Sequence, residues 1–329
     1  MEIEDAFKVL QGNVNAPKEM VDEAKDRRNV FIGAFKTLDD VLAGRPSGSL
    51  ARGSQIDPIK DVDLYIEFDK EAHPDWGQPG DSAANALDYT RDKVNELVGA
   101  TNGSYDKRVR LARWHNHAVK CFLDDPDDPD AFTVDVMPVL PQGDDVLLIP
   151  EAQNSRWGLA KPKQLIDEVA EQHADWNLFV PTIRLFKHWT REKSTGIKPL
   201  VLEVMTLDHL RAATTRGEAI ARFFAAAANA IVYPVVDPAG LCGEVQPDLD
   251  RSAARKHLET AAEIAHRARD AESRGENDEA MCLWRQIFGN AFPEPEGGCS
   301  KFGLGAAGAA TAISFPPARP RRVRDTPQG

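Results

Sequence analysis

Cysteine is scarce in this sequence, with four cysteines among 329 residues. Zinc sites need closely spaced ligands, and small disulfide-stapled domains are dense in cysteine. The sequence shows neither pattern, because its cysteines lie far apart along the chain: Cys121, Cys242, Cys282 and Cys299. It therefore predicts neither a zinc site nor a disulfide framework, and it fits a protein of the reducing cytoplasm.

Long apolar runs are also missing. No stretch reaches the roughly 18 consecutive apolar residues that a membrane-spanning helix needs. The segment from Met1 to Asp22 is charged rather than apolar. We therefore expect no signal peptide and no contact with a membrane.

Basic residues are fewer than acidic ones, with 40 Lys and Arg against 52 Asp and Glu and a net charge of -12. Tight binding of long duplex nucleic acid depends on neutralising many phosphates with Lys and Arg. The composition argues against such a substrate. A small nucleotide remains possible, because it needs only a local group of cations.

The first half of the sequence mixes helical and strand patterns. Asn15 and Pro17 are typical of a helix start, and we predict one long helix over residues 16–41. A segment rich in Gly, Pro and Ser follows at 44–53, and the run from Asp61 to Glu67 then alternates with the period of a strand. Further apolar patterns predict a helix at 82–98 and strands at 117–123 and 131–139.

The second half is helical from Pro162 onward, and Gly275 stands where a C-cap glycine would end a helix. Beyond Pro293 the composition shifts to Gly, Ala and Pro with a basic end, which cannot bury enough apolar surface to fold alone. The predicted helices are 163–174, 178–191, 202–232, 251–274 and 278–288. We predict an α/β (α+β) protein with a mixed-sheet core at 1–160, a helical lobe at 161–293 and a flexible tail at 294–329.

Three short features carry the chemistry. Gly48 and Ser49 stand in a glycine-bearing turn, Asp61 and Asp63 begin a strand soon after it, and Asp135 lies on another strand. Magnesium prefers carboxylate oxygens, and two carboxylates at i and i+2 share one strand face. A third carboxylate from a neighbouring strand completes a site for two Mg²⁺ ions, with Mn²⁺ as a substitute.

The glycine turn supplies the second half of the predicted site. A glycine lets backbone N–H groups approach phosphate oxygens closely, and the Ser49 hydroxyl adds a donor. A D-x-D pair alone is common on solvated strand faces. Gly103 and Ser104 have no such pair at the right distance, so we interpret them as an ordinary turn. The coincidence of all three features favours a metal–nucleotide site.

Two weaker signals have simpler interpretations. His115 and His117 stand at i and i+2, but with no third ligand nearby we expect them to flank a strand rather than hold a metal. The basic stretch 107–113 could attract a nucleic acid or a phosphate, and a solvated sheet edge is the interpretation we favour.

The turn and strand together resemble the signature of the bacterial CD-NTases, relatives of cyclic GMP-AMP synthase and oligoadenylate synthetase in the polymerase-β-like nucleotidyltransferase superfamily. The similarity extends over about residues 16–293. The stretches that carry it are Gly48–Ile56, Asp61–Leu64, Ile149 with Pro150, Trp157, Arg184–Trp189, Leu202 with Glu203, and Leu283–Gly289.

The resemblance implies a polymerase-β-like core, an oligoadenylate-synthetase-C-like helical lobe, and the synthesis of cyclic di- or trinucleotide second messengers. Such enzymes use NTPs (ATP, with GTP, UTP or CTP also possible) and magnesium, and they act in CBASS anti-phage operons. In the matching motif Lys187 would bind triphosphate oxygens, and we place Arg184 and Gln55 among the nucleotide-binding residues. The resemblance also implies operon partners, including a ubiquitin-transfer-like protein that conjugates the C-terminal Gly329.

One departure from the family pattern stands at Pro199. The family commonly has Lys-Ser before an aromatic residue and Leu-Glu, whereas here Lys198 is followed by proline, which supplies no hydroxyl. Ser194 or Thr195 in the preceding loop are candidates to replace it. Two other functions stay open: a nucleotidyltransferase that extends a tRNA or poly(A) end, and a non-catalytic nucleotide-binding scaffold.

Overall fold

The computed structural model describes residues 1–99 and 108–303. Within them the chain divides into two compact units. One is built on a sheet and comprises Ala16–Glu168 with Pro238–Gly243; the other is helical and comprises Met1–Asn15, Val169–Asp237 and the described residues from Glu244 onward. The first fifteen residues thus group with the helical unit, whereas the sequence placed them with the core at 1–160.

The sheet is mixed, as the sequence predicted. Its main order is β1-β2-β5-β4-β3; β2 and β5 run parallel, and the other neighbours are antiparallel. β6 pairs antiparallel with the end of β5 and also with β7. The strands are β1 (Val41–Ser47), β2 (Asp61–Phe68), β3 (Leu111–Trp114), β4 (Val119–Phe122), β5 (Thr133–Gly143), β6 (Val146–Glu151) and β7 (Arg156–Ala160).

Side chains alternate along a strand, so β2 and β5 each present residues to both faces of the sheet. Val62 and Leu64 of β2 and Val134 and Val136 of β5 are buried in one core cluster with residues of α2 and α4. The helices of this unit are α2 (Lys18–Phe35), the short α3 (Gly48–Ala51), α4 (Ser82–Val98) and the start of α5 (Pro162–Asp175). The acidic positions of β2 consequently lie on the opposite face.

The helical unit begins with an amphipathic helix that the sequence analysis missed, α1 (Ile3–Val14). Phe7 lies edge-on to Trp284, Phe288 and Phe292, with ring centroids 5.1, 6.3 and 5.2 Å away. The other helices are α6 (Phe179–Glu192), α7 (Pro199–His209), α8 (Arg216–Ala230), α9 (Arg251–Ser273) and α10 (Asn277–Phe288). In the described part of the chain, no helix is both long and apolar enough to cross a bilayer.

Two predicted helices were too long. The helix predicted over 16–41 ends at Phe35, and β1 already begins at Val41. The helix predicted over 202–232 is two helices, because Thr215 caps α8 by accepting a hydrogen bond from the Glu218 N–H. Thr and Glu at this spacing form a capping-box pattern, which starts a helix rather than continuing one.

The expectation of no disulfide framework did not anticipate one bond, which joins α10 to the first part of the predicted tail. Cys282 of α10 and Cys299 are disulfide-bonded, with Cα atoms 5.5 Å apart. The Cys299 N–H also donates to Glu294 (3.1 Å), and Lys301 contacts Asp278 (2.9 Å). The chain turns back onto α10 here, so cysteines 17 residues apart in sequence meet. Residues 294–303 are therefore structured, and the remainder of the predicted tail lies outside the described residues.

Candidate active site

The parallel pairing of β2 with β5 brings two predicted site residues side by side. In the register of these strands, Asp63 is opposite Asp135 and Asp61 is opposite Thr133. Cross-strand partners share a face of the sheet. Asp63 and Asp135 are half-buried, whereas Asp61 at the start of β2 is exposed. The face that carries them is the one opposite the α2 and α4 core.

Gly48 lies directly against the Asp63 carboxylate. Its φ is +68°, a conformation that L side chains rarely adopt, and a Cβ built on it would lie 1.7 Å from Asp63 Oδ2. Only glycine fits this position. It begins α3, and Ser47, the residue before it, is opposite Asp63 in the β1–β2 register. The glycine turn thus brings backbone to the acidic face, as the nucleotide-cradle interpretation requires.

Ser49 is half-buried in the same turn. Its carbonyl oxygen accepts a hydrogen bond from the Ser54 N–H at 2.9 Å, which closes the turn after α3. Gln55 follows, and its Oε1 is buried without a hydrogen-bond donor among the described residues. An unsatisfied buried oxygen is costly in a folded protein. This amide is therefore available to a ligand that supplies a donor.

A cation that the sequence analysis did not single out lies beside the third aspartate. Lys120 of β4 is opposite Asp135, and its Nζ is 3.9 Å from Asp135 Oδ2. The alternation of β4, with Val119 and Cys121 buried and Lys120 between them, indicates the face of Lys120, but its place beside Asp135 depends on the pairing of β4 with β5. Behind it, burial and the charge of Asp135 raise the pKa of the Cys121 thiol, which keeps that thiol protonated.

The donor set at this face suits a hard divalent cation. Asp61, Asp63 and Asp135 supply only carboxylate oxygens, the ligands that Mg²⁺ prefers, and Gly48, which has no side chain, lets the Asp63 carboxylate lie against the backbone of the turn. As the side chains lie, residues 1–99 and 108–303 contain no group of three His, Cys, Asp or Glu arranged to hold a metal. The residue types fit magnesium, and the ligand set stays a prediction.

Lys187, predicted to bind triphosphate, is buried in the helical unit. Its side chain is 5% exposed and contacts the Glu203 carboxylate, which is 1% exposed. The pair joins α6 to α7, and both residues belong to the stretches that resemble the family. A buried cation without an anion would lower the free energy of unfolding, so the Glu203 carboxylate stabilises Lys187 in this buried position.

Arg184 and the loop before Pro199 make hydrogen bonds to other residues of the helical unit. Arg184 Nη1 donates to Asn15 Oδ1 at 2.9 Å, and burial lowers the pKa of its guanidinium. The Thr195 hydroxyl is buried against the Thr190 hydroxyl, and it accepts from the Ile197 N–H at 3.2 Å. Ser194 is exposed with a positive φ of 47°. Of the two candidates to replace the missing family serine, only Ser194 is exposed.

The structure places His117 in a set of hydrogen bonds and leaves the described arginines of the basic stretch exposed. His117 Nδ1 lies 2.6 Å from the Pro150 carbonyl oxygen and Nε2 lies 2.9 Å from the Asn116 side chain. One ring nitrogen thus ties the turn between β3 and β4 to β6, and the other contacts the neighbouring Asn116. Arg108, Arg110 and Arg113 are exposed at the β3 edge. Lys107 and the turn at Gly103 and Ser104 lie outside the described residues.

Comparison with known proteins adds a family match. A family model described as the Second Messenger Oligonucleotide or Dinucleotide Synthetase domain matches residues 1–173. The chain is 26% identical over 173 residues to a cyclic AMP-AMP-AMP synthase of Acinetobacter sp., a match that covers 49% of this chain and 50% of the relative. It is 22% identical over 324 residues to a probable cyclic nucleotide synthase of Bacillus cereus, covering 87% of this chain and 96% of the relative.

The fold matches solved structures over most of its length. CdnC of E. coli MS115-1, solved with ATP, superposes with a TM-score of 0.67 at 18% identity, covering 89% of this chain and 99% of CdnC. CdnC in its complex with HORMA-deltaN gives a TM-score of 0.64 at 19% identity, covering 88% and 98%. At this level of identity the likeness shows the fold alone, and it agrees with the predicted polymerase-β-like core and helical lobe.

Proposed function

The chain belongs to the Second Messenger Oligonucleotide or Dinucleotide Synthetase family of nucleotidyltransferases, and from this premise we propose that it joins NTPs into a cyclic di- or trinucleotide. The observation that carries the proposal is that Asp63 is the cross-strand partner of Asp135 and that Gly48 lies directly against the Asp63 carboxylate. Gly48 and Asp63 belong to the stretches that resemble the family signature, and the adjacent strands β2 and β5 hold Asp63 and Asp135 on one face.

Each residue of this face has a proposed task. Asp61, Asp63 and Asp135 would hold two Mg²⁺ ions, which when bound neutralise phosphate charge and lower the pKa of the attacking hydroxyl. The Gly48 turn places backbone N–H groups beside the triphosphate, and the Ser49 hydroxyl donates to a phosphate oxygen.

The proposed reaction is in-line transfer. The hydroxyl of one nucleotide forms a bond to the α-phosphate of another as the bond to pyrophosphate breaks, and the last transfer closes the ring, the second for a dinucleotide and the third for a trinucleotide. The sheet face would contribute by positioning the two reactants, because alignment of the reacting groups lowers the activation barrier. No covalent enzyme intermediate is needed.

The names of two similar proteins support ATP as a substrate of this chain. One relative is named a cyclic AMP-AMP-AMP synthase, and the CdnC structure contains ATP. We therefore propose ATP as a substrate, with GTP, UTP or CTP as possible co-substrates. Lys187 and Arg184 stay proposed nucleotide-binding residues, and Lys187 would have to exchange its contact with Glu203 for the triphosphate.

The proposal includes a role in CBASS anti-phage defence in the cytoplasm, together with protein partners. The complex of CdnC with HORMA-deltaN supports a regulatory protein as one such partner. A ubiquitin-transfer-like protein that conjugates Gly329 is a second proposed partner, and Gly329 lies outside the described residues. Removing residues 294–329 in a reconstituted operon should abolish conjugation, and conjugation that persists would contradict this part of the proposal.

The test of the function is to incubate the purified protein with Mg²⁺ and all four NTPs and to identify phosphatase-resistant products by mass spectrometry. We expect a cyclic oligonucleotide containing AMP. Extension of a labelled RNA end without any cyclic product would favour the RNA-end nucleotidyltransferase instead. Nucleotide binding without turnover, also in the presence of a HORMA-type partner, would favour the scaffold.

A further inference from the structure

The acidic face of the sheet continues beyond Asp135 onto two more strands. In the strand register, Lys120 of β4 is opposite Asp135, and Arg113 of β3 is opposite Lys120. Asp135 is opposite Asp63 on its other side. Because cross-strand partners share a face, one row of side chains crosses the sheet from the acidic pair to two cations.

A second row of cross-strand partners runs beside the first. It is apolar on β4 and β3, the strands on which the first row carries its two cations. Phe122 of β4 is opposite Thr133 of β5 and Leu111 of β3, while Thr133 is opposite Asp61. Phe122 and Leu111 are partly exposed. Neither belongs to the core clusters found among the described residues. This part of the face therefore offers an aromatic ring next to cations.

The opposite face of β4 and β3 explains why this arrangement is not ordinary core packing. Val119 and Cys121 are fully buried and Ala112 is nearly so, all three in the cluster with α2 and α4. The strands are thus anchored by their other side. The side chains of Lys120, 32% exposed, and the exposed Arg113 are left facing away from that core.

We propose that Phe122, Lys120 and Arg113 form a subsite for the acceptor nucleotide, the one whose hydroxyl attacks. The base would stack on the Phe122 ring, and the phosphates would contact Lys120 and Arg113. Aromatic stacking on a base combined with cations for the backbone is a general way to bind nucleotides. The inference rests on the proposed function and assigns one reactant to a place on the sheet.

The order of the row indicates which reactant binds where. The proposed triphosphate cradle of the donor, Gly48 with Ser49, follows Ser47, which is opposite Asp63 on the β1 side, and Lys120 and Arg113 lie on the other side of Asp135. Neighbouring strands are about 4.8 Å apart, so the two strands beyond Asp135 span about 10 Å, the size of a nucleotide. The carboxylates stand between the two places, where the attacking hydroxyl must meet the α-phosphate.

The test measures how many nucleotides bind. The probe is α,β-methylene-ATP with Mg²⁺, which cannot transfer its α-phosphate, and the method is titration calorimetry. We expect the intact protein to bind two equivalents. Phe122→Leu with Lys120→Gln should weaken one of them by at least about tenfold, because the base loses its stacking partner and the phosphates lose a cation. The other should keep its affinity.

The controls separate this role from general effects of charge and folding. Lys93→Gln removes a partly exposed lysine of α4 that contacts Glu96, and it should leave both equivalents unchanged. Gly48→Ala should weaken the equivalent that the Phe122 and Lys120 variant retains. Equal thermal unfolding of the Phe122 and Lys120 variant and the intact protein verifies that the variant is folded.

Two results would overturn the inference while leaving the proposed function intact. One is a single equivalent bound by the intact protein, and the other is two equivalents of unchanged affinity in the Phe122 and Lys120 variant. No binding by the intact protein would count against the proposed function itself, and the subsite would be abandoned with it.

Discussion

Gly48 stands at a position where any side chain would collide with Asp63. An alanine there would adopt an unfavourable φ, at a cost of about 1–2 kcal/mol, and its Cβ would push the Asp63 carboxylate from its place. We predict that Gly48→Ala lowers synthase activity by at least about tenfold, measured as cyclic product per minute, because the displaced carboxylate no longer faces Asp135.

Gly275→Ala is the matched control for that prediction. Gly275 has a similar φ of +76°, but a Cβ built on it meets no atom within 4 Å. Its replacement should lower the thermal midpoint by a similar amount and leave turnover unchanged. Equal activity losses in the two variants would show that backbone strain, rather than the contact with Asp63, limits activity.

Lys187 and Glu203 can be tested as a pair. Removing one partner of a buried ion pair costs about 3–5 kcal/mol, whereas replacing both with apolar residues is often nearly neutral. We predict that Lys187→Met lowers the free energy of unfolding by that amount and that Lys187→Met with Glu203→Leu restores it, measured by urea denaturation. If the double variant is stable but inactive, Lys187 contacts the nucleotide; full activity would contradict that role.

His188 makes the helical unit sensitive to acid. Burial lowers the pKa of His188 below its ordinary 6.5, against the weaker opposing effect of its hydrogen bond to the Phe288 carbonyl. The unfolded chain therefore takes up this proton first. Stability from neutral His188 is present above pH 6.5 and is lost as the pH falls through the folded-state pKa.

We predict that the intact protein loses more of its free energy of unfolding between pH 7.5 and pH 5.5 than His188→Gln does. The glutamine amide keeps a donor for the Phe288 carbonyl but does not titrate. Urea denaturation at both pH values gives the comparison. The same loss in both proteins would assign the acid sensitivity to another group, such as His257, whose pKa burial also lowers.

Individual site residues were partly visible in the sequence. The alternation from Asp61 to Glu67 gave the face of Asp63, since it depends only on local backbone geometry. Lys120 was overlooked because its relation to Asp135 depends on the pairing of β4 with β5, which no local pattern specifies. The contact of Lys187 with Glu203 was likewise invisible, because it joins two helices.

At the scale of elements, strand existence was predictable and strand partners were not. The strands predicted at Asp61–Glu67 and 131–139 correspond to β2 and β5, yet their parallel register follows from packing of the whole sheet. The pattern behind β6 and β7 was not recognised as strands. The division between α7 and α8 had a local signal in Thr215 and Glu218, so that error was avoidable.

The disulfide is the element-scale feature with the clearest consequence for stability. A bond closing a loop of this length limits the unfolded chain and contributes about 3 kcal/mol. We predict that Cys282→Ser with Cys299→Ser lowers the thermal midpoint under oxidising conditions and abolishes its response to dithiothreitol. Peptide mapping without reductant should find the Cys282–Cys299 pair in the intact protein; two unmodified thiols there would contradict the bond.

At the scale of the whole molecule, the strand and helix patterns anticipated a mixed α/β protein, but not how the chain is divided. The first fifteen residues lie with the helical unit because α1 packs its apolar side, including Phe7, against aromatic residues of α10. Such a contact joins segments almost a chain length apart. Apolar periodicity can suggest that a helix has a buried side but not which partner covers it.

The central claim is that one sheet face, carrying Asp61, Asp63 and Asp135, performs nucleotidyl transfer. Its most direct test is Mg²⁺-dependent pyrophosphate release and cyclic product from ATP, measured for Asp63→Asn, Asp135→Asn and, as control, Asp75→Asn at an exposed loop position. We expect Asp63→Asn and Asp135→Asn to lose both products with unchanged thermal unfolding, and Asp75→Asn to keep full activity. Cyclic product made by Asp63→Asn or Asp135→Asn at the rate of the intact protein would contradict it.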